Sequence, residues 1–174
     1  MDLSKYFTMQ KQLDQHIVKG RSLEGVSMIQ EKILALYTEL GELANELPEI
    51  FKFWSGKKNN YEKALKEYVD VMHFLLSVGL DLRMDFEELC VGDQYADYTA
   101  ERPVETFNKL FECVSEFGEV ANYGNRSDLI FVYEVTLNVF LGLGEKHLHF
   151  TLGQIESAYF EKNQINHKRQ ESGY

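Results

Sequence analysis

The feature that most constrains this chain is an apolar stripe with helical spacing. Ile29, Ile33, Leu36, Leu40, Leu43 and Leu47 recur at steps of four and three residues. That period puts all six on one face of a helix; a strand would need alternation at every second residue. Pro48 lacks an amide hydrogen and predicts the end of the helix. A second stripe, Leu65, Tyr68, Met72, Leu75 and Gly79, has the same spacing. Between the two, Phe51 to Asn60 contains Ser55-Gly56 and Asn59-Asn60 and reads as a loop.

Helical patterning covers most of the remaining chain. It predicts a helix from about Ser4 to Lys19, ending near Gly20, and another from Pro103 to about Tyr123, stopped by Gly124-Asn125. A further helix is expected from about Asp128 to Lys146, and a last one from near Thr151. Val, Tyr and Phe between 129 and 140 favour a strand on propensity. No alternation or hairpin turn supports a strand there, so helix is expected. The fold class is all-α: a bundle of about six to seven helices forming a single domain over residues 1–174. An internal echo is also present. Residues 38–45, TELGELAN, match residues 115–122, SEFGEVAN, at five of eight positions. This suggests two related helical halves, one degenerate; chance similarity between amphipathic helices is the alternative.

With 44% hydrophobic residues the chain can build a core, and 13% aromatics argue against disorder. The formal charge of −10 is unsuited to general nucleic-acid binding or to an anionic membrane surface. A polyanionic substrate is compatible only if divalent cations or a local basic cluster mediate. Cys90 and Cys113 have no metal-ligand spacing and read as free thiols. No N-terminal run resembles a signal peptide, and no uninterrupted apolar stretch approaches the roughly 20 residues of a membrane span. A cytoplasmic protein with neither nucleic-acid nor membrane partners is expected.

Glu39 and Glu42 lie three residues apart on one helix face, and Glu67 and Asp70 repeat the spacing on the next long helix. Antiparallel packing of these helices would make the four carboxylates converge. Like charges at this spacing cost a helix about 0.2–0.5 kcal/mol per pair, and Glu46 and Glu49 add to the burden. Either the face is fully solvated or cations neutralise it, and hard cations such as Mg²⁺ or Mn²⁺ suit oxygen ligands. At the other end of the chain, Tyr159, Lys162, Asn166, Arg169 and Gly173 form a helical stripe of cations and amides. Arg offers a planar fork to phosphate and Lys a point charge; a solvated terminal helix is the alternative. Phe74, one turn beyond Asp70, is a stacking candidate for a base, with plain core packing as its alternative. His16, His73, His147, His149 and His167 form no ligand cluster, and His73 is expected to be structural.

An ExxE helix, a loop and an ExxD helix resemble the all-α nucleoside triphosphate pyrophosphatase (MazG-like) superfamily. Within it the chain is most similar to the dimeric-type dUTPases. The resemblance rests on Lys52-Phe53-Trp54-Ser55 between the acidic helices, and on Lys162-Asn163-Gln164-Ile165-Asn166-His167-Lys168-Arg169-Gln170 followed by Gly173-Tyr174. It implies Mg²⁺-dependent hydrolysis of dUTP, and of dUDP as a second substrate, by in-line attack of water, in a homodimer. It implies that Glu39, Glu42, Glu67 and Asp70 hold metal, with Glu42, and Glu39 beside it, as catalytic residues. Lys162, Asn166 and Arg169 would meet phosphate and sugar, Phe74 would stack on the base, and Trp54 would cover it. Gln10 and Asp14 would meet uracil, although relatives carry Asn where this chain has Asp14. Glu116 and Glu119 echo the first acidic pair, but Phe131 stands where Glu67 would, with Glu134 facing Asp70's place, so one metal site per chain is expected. Two alternatives remain: a pyrophosphohydrolase for another nucleotide such as dCTP, or a non-catalytic nucleotide- or protein-binding regulator. A regulatory protein partner would leave no mark on the sequence.

Overall fold

A computed structural model of the chain describes residues 3–84, 89 and 95–173; Cys90 and Tyr174 lie outside the described residues. Seven α-helices account for most of these: α1 (Leu3–Arg21), α2 (Ile29–Asn45), α3 (Pro48–Phe51), α4 (Tyr61–Asp81), α5 (Pro103–Tyr123), α6 (Arg126–Gly142) and α7 (Leu152–Glu171). A 3₁₀ turn spans Tyr95–Tyr98 and a π turn spans Leu143–His147. No strand occurs among the described residues. The bundle is all-α.

The helix boundaries follow local chemistry. Pro48 and Pro103 open α3 and α5, where the missing amide hydrogen costs nothing. Pro48 therefore starts a short helical turn as well as following α2. The Asn60 and Asn125 side chains accept from the backbone amides of Lys63 and Asp128, capping α4 and α6. Thr151 and Gln154 form a reciprocal capping box at the start of α7.

The apolar stripes meet as their spacing requires. Leu36, Leu40, Leu43 and Leu47 are fully buried, as are Tyr68 and Leu76, while Met72 and Leu75 are nearly so. All join one cluster of buried side chains. α2 and α4 are antiparallel: Lys32 pairs with Asp81 at one end, and the Asn60 amide donates to the Glu46 carbonyl at the other. α4 and α6 are antiparallel too, with Arg126 on the Leu82 carbonyl, Tyr133 on the Leu75 carbonyl and Tyr68 on the Phe140 carbonyl. α5 runs antiparallel to α2 through Gln30–Asn122 and the Tyr37–Phe111 stack. α7 lies parallel to α1, tied by Lys5–Glu156 near one end and His16–His167 near the other.

α6 is the most apolar helix. With the π turn after it, the Arg126–His147 stretch is long and apolar enough by composition to cross a membrane. Its apolar window is 61% buried within the protein, as expected of a central bundle helix. α-Helical geometry ends at Gly142, before the expected Lys146; the backbone then widens, with the Leu148 amide bonding the Leu143 carbonyl. Gly144 lies here against the Tyr68 hydroxyl.

Gly79 marks a close approach of α4 to Tyr133 of α6 and Phe7 of α1. A β-carbon there would lie 2.7 Å from Tyr133 Cζ and 3.0 Å from Phe7 Cε1. Gly79→Ala should therefore destabilise the protein by about 1–3 kcal/mol through overpacking. Gly41→Ala, on a helix face with open space, should stabilise by up to about 1 kcal/mol. Urea denaturation of both variants checks this; a stabilised Gly79→Ala would contradict the packing described.

Candidate functional site

The antiparallel register of α2 and α4 sets Glu39 across from Glu67 and Asp70. One carboxylate oxygen from each of the three lies within 4.8 Å of the other two. All three side chains are half-buried, and Glu42, one turn along α2, is exposed at their edge. It is not in the tight group, but its charge raises the carboxyls of Glu39, Glu67 and Asp70.

Crowding of this kind is costly. Burial, then the charges of Asp70, Glu42 and Glu67, push the Glu39 carboxyl up to about 7. Burial and Asp70 raise Glu67. Burial also raises Asp70, against the opposing ion pair from the Lys162 ammonium. Such a group is stable only if protonated, solvated or met by cations. The donor set, carboxylate oxygens alone, fits Mg²⁺ or Mn²⁺ and is a poor match for metals that prefer sulfur or imidazole.

Beside the acids opens a cleft of about 650 Å³ between α1, α2, α4 and α7. Glu39 and Asp70 line it, together with Gln10, Asp14, Phe74, Lys162, Asn166 and Arg169. Acids, cations and base-contact candidates drawn from both ends of the chain thus share one cavity. Trp54 does not line it. This residue is 66% exposed and packs edge-on against Phe53 and Phe51 in the loop after α3. In the second half of the chain, Glu116, Glu119 and Phe131 are exposed, and among the described residues the only carboxylate group of this tightness is Glu39, Glu67 and Asp70.

One wall of the cleft is a hydrogen-bonded network. Gln10 Nε2 donates to Asp14 Oδ1 at 2.8 Å, and Ser77 Oγ donates to Asp14 Oδ2 at 2.7 Å. Gln10 Oε1 then accepts from His73 Nδ1 at 2.7 Å and from the Tyr159 hydroxyl at 3.1 Å. With Gln10 Oε1 as the acceptor, His73 must carry its proton on Nδ1. Its ring stacks on Tyr159 with centroids 4.2 Å apart. Burial, reinforced by the charge of Lys162, lowers His73 to about 3, so the imidazole is neutral. His73 is thus both structural and cleft-lining.

Residue-type reasoning missed Ser77, Lys32 and Asp81, and gave Tyr159 no role beyond its place in the α7 stripe. A signal was present on α4: Asp70, His73, Ser77 and Asp81 follow steps of three and four, a polar face running past Asp70. Lys32 and Tyr159 join it only through the packing of α2 and α7.

The electrostatics predict a pH effect on stability. A Glu39 carboxyl raised from 4.5 to about 7 keeps a proton in the folded chain that the unfolded chain has lost. Its contribution is therefore present at low pH and falls away as pH rises through 7. Glu39→Gln should gain thermal stability relative to the native protein between pH 6 and pH 8, measured without divalent cations. A stability difference that does not change with pH would contradict the crowding described.

Comparison with curated proteins gives no match. A family model described as dUTPase, by contrast, matches residues 2–174, which include both acidic helices and the α7 segment. The chain therefore belongs to the all-α dUTPase family, the dimeric type, and is a dUTP diphosphatase.

Proposed function

We propose that this cleft hydrolyses dUTP, and dUDP as a second substrate, in a Mg²⁺-dependent reaction, with Mn²⁺ able to substitute. The observation that carries the reading is the convergence of Glu39, Glu67 and Asp70, two of which, Glu39 and Asp70, line the same cavity as Lys162 and Arg169. Acids alone would repel a triphosphate and cations alone would not activate water; one cavity provides for both.

Glu39, Glu42, Glu67 and Asp70 would hold the ions. When bound, such ions neutralise phosphate charge and acidify a water molecule. Glu42, exposed at the rim, is the base that orients this water and takes its proton, and Glu39 supports it. The water oxygen would form a bond to the α-phosphorus as the bond to the leaving group, pyrophosphate from dUTP or phosphate from dUDP, breaks to give dUMP, with no covalent enzyme intermediate. Lys162 pairs with Asp70 across the cavity, so it is positioned to turn from that carboxylate to a phosphate oxygen. Arg169 and Asn166 extend the grip along α7, while Phe74 offers a face to the base. Trp54 does not line the cleft, so for it to cover its own chain's site its loop would have to move. The reading includes a homodimer; Leu34 on α2 and Phe131 on α6, 67% and 64% exposed, are apolar surface available to it.

The test is hydrolysis of dUTP with and without Mg²⁺, with dUDP, dTTP, dCTP and UTP in parallel. Mg²⁺-dependent release of pyrophosphate from dUTP is expected. Unchanged turnover after chelation of divalent cations would overturn the metal assignment, and preference for dCTP would favour the alternative substrate. Glu42→Gln should keep the fold and nucleotide binding while kcat falls by about 10²–10⁴-fold, the usual contribution of a general base. Unchanged turnover would remove Glu42 from the mechanism.

A further inference from the structure

Lys32 has no part in the reading above, yet it lines the cleft and is largely withdrawn from solvent, its side chain 19% exposed. Its Nζ lies 2.6 Å from Asp81 Oδ2 and 3.8 Å from Asp14 Oδ2. Two acids on different helices therefore share one cation. Asp14 is also 18% exposed and accepts from Ser77 and Gln10. A carboxylate offers about four acceptor positions, so lone pairs remain after these two bonds.

The charge state of Asp14 decides what it can recognise. As a carboxylate it only accepts; once protonated it also donates. Uracil presents a ring N3–H, whereas cytosine presents a bare N3 lone pair there. An anionic Asp14 attracts the first and repels the second, whereas a protonated Asp14 accepts from the first or donates to the second and so loses the preference. We propose that Lys32 is a positioning residue that sets base selection: it holds Asp14 as a carboxylate, making this wall an acceptor for a ring N–H and favouring uracil over cytosine. The inference rests on the proposed assignment of this cleft to the nucleotide.

The surroundings of Asp14 support it. Burial raises the carboxyl, and the Lys32 charge is the largest opposing influence, followed by the bonds from Ser77 and Gln10; Asp81 adds a smaller upward push. The Tyr159 hydroxyl approaches from α7 through Gln10, His73 reaches Asp14 only through Gln10 and is neutral, and Glu31, Lys162 and Arg169 line the same cavity. Of these, Lys32 is the cation in ion-pair range of Asp14.

Equilibrium binding of dUMP and dCMP tests this independently of turnover. Affinities are measured by calorimetry at pH 6 and pH 8 for the native protein and for the Lys32→Met, Lys32→Arg, Asp14→Asn and Lys32→Met/Asp14→Asn variants. The native protein should prefer dUMP at both pH values. Lys32→Met should lose that preference at pH 6, by up to about tenfold for each unit by which Asp14 comes to lie above that pH, and recover part of it at pH 8. Lys32→Arg should keep it. In the Asp14→Asn background, Lys32→Met should have no further effect on the ratio, because the group through which it acts no longer titrates. The proposal is overturned if the native protein shows no preference for dUMP. It is also overturned if Lys32→Met changes the ratio equally at both pH values, changes it equally in the Asp14→Asn background, or leaves it unchanged. Failure of dUTP turnover with selective dUMP binding intact would count against the catalytic reading and leave the role of Lys32 standing.

Discussion

Repulsion among Glu39, Glu67 and Asp70 is the constraint around which the rest of the molecule is arranged. Three half-buried carboxylates within 4.8 Å of one another oppose folding, and they are held together because two apolar stripes leave α2 and α4 no other register. Burying Leu36, Leu40 and Leu43 against Tyr68, Met72 and Leu75 is worth about 1.5–3 kcal/mol for each side chain. That gain easily exceeds the penalty of a few carboxyl groups displaced from their ordinary ionisation. The core thus drives the acids into proximity, and their raised pKa follows from the packing.

The other helices complete this arrangement. α7 runs alongside α1 and brings Lys162 to Asp70, so the strongest local cation meets the most crowded acids. α1 supplies Gln10 and Asp14, which are tied to Ser77 and His73 on α4. The polar wall and the acidic group are therefore both anchored on α4, a few turns apart. A shift of α4 would disturb both, which under the proposed function would couple recognition of the base to the geometry at the phosphates.

Much of this was legible in the sequence because helices are written in local periodicity. The stripes and the prolines at 48 and 103 each act within a turn or two. The acidic pairs and the α7 stripe were legible for the same reason. What escaped depends on contacts between distant segments. The widening at Leu143–His147 accompanies the approach of Gly144 to Tyr68 in another helix. Lys32 reads as an ordinary surface lysine until the antiparallel register of α2 and α4 places it on Asp81. Trp54, expected to cover the base, is exposed and does not line the cleft; where its loop lies against bound nucleotide is not written in local periodicity. The echo between residues 38–45 and 115–122 is real in helical pattern, yet Glu116 and Glu119 face solvent.

The central claim is that the Glu39, Glu67 and Asp70 group is a divalent-cation site. Titration of Mn²⁺ into the protein at pH 8, following the loss of the free-ion electron paramagnetic resonance signal, tests it most directly. The native protein should bind Mn²⁺ and Mg²⁺ should compete it off, while Glu67→Gln and Asp70→Asn, checked for native helicity, should lose that binding. Equal Mn²⁺ uptake by the native protein and both variants would contradict the account.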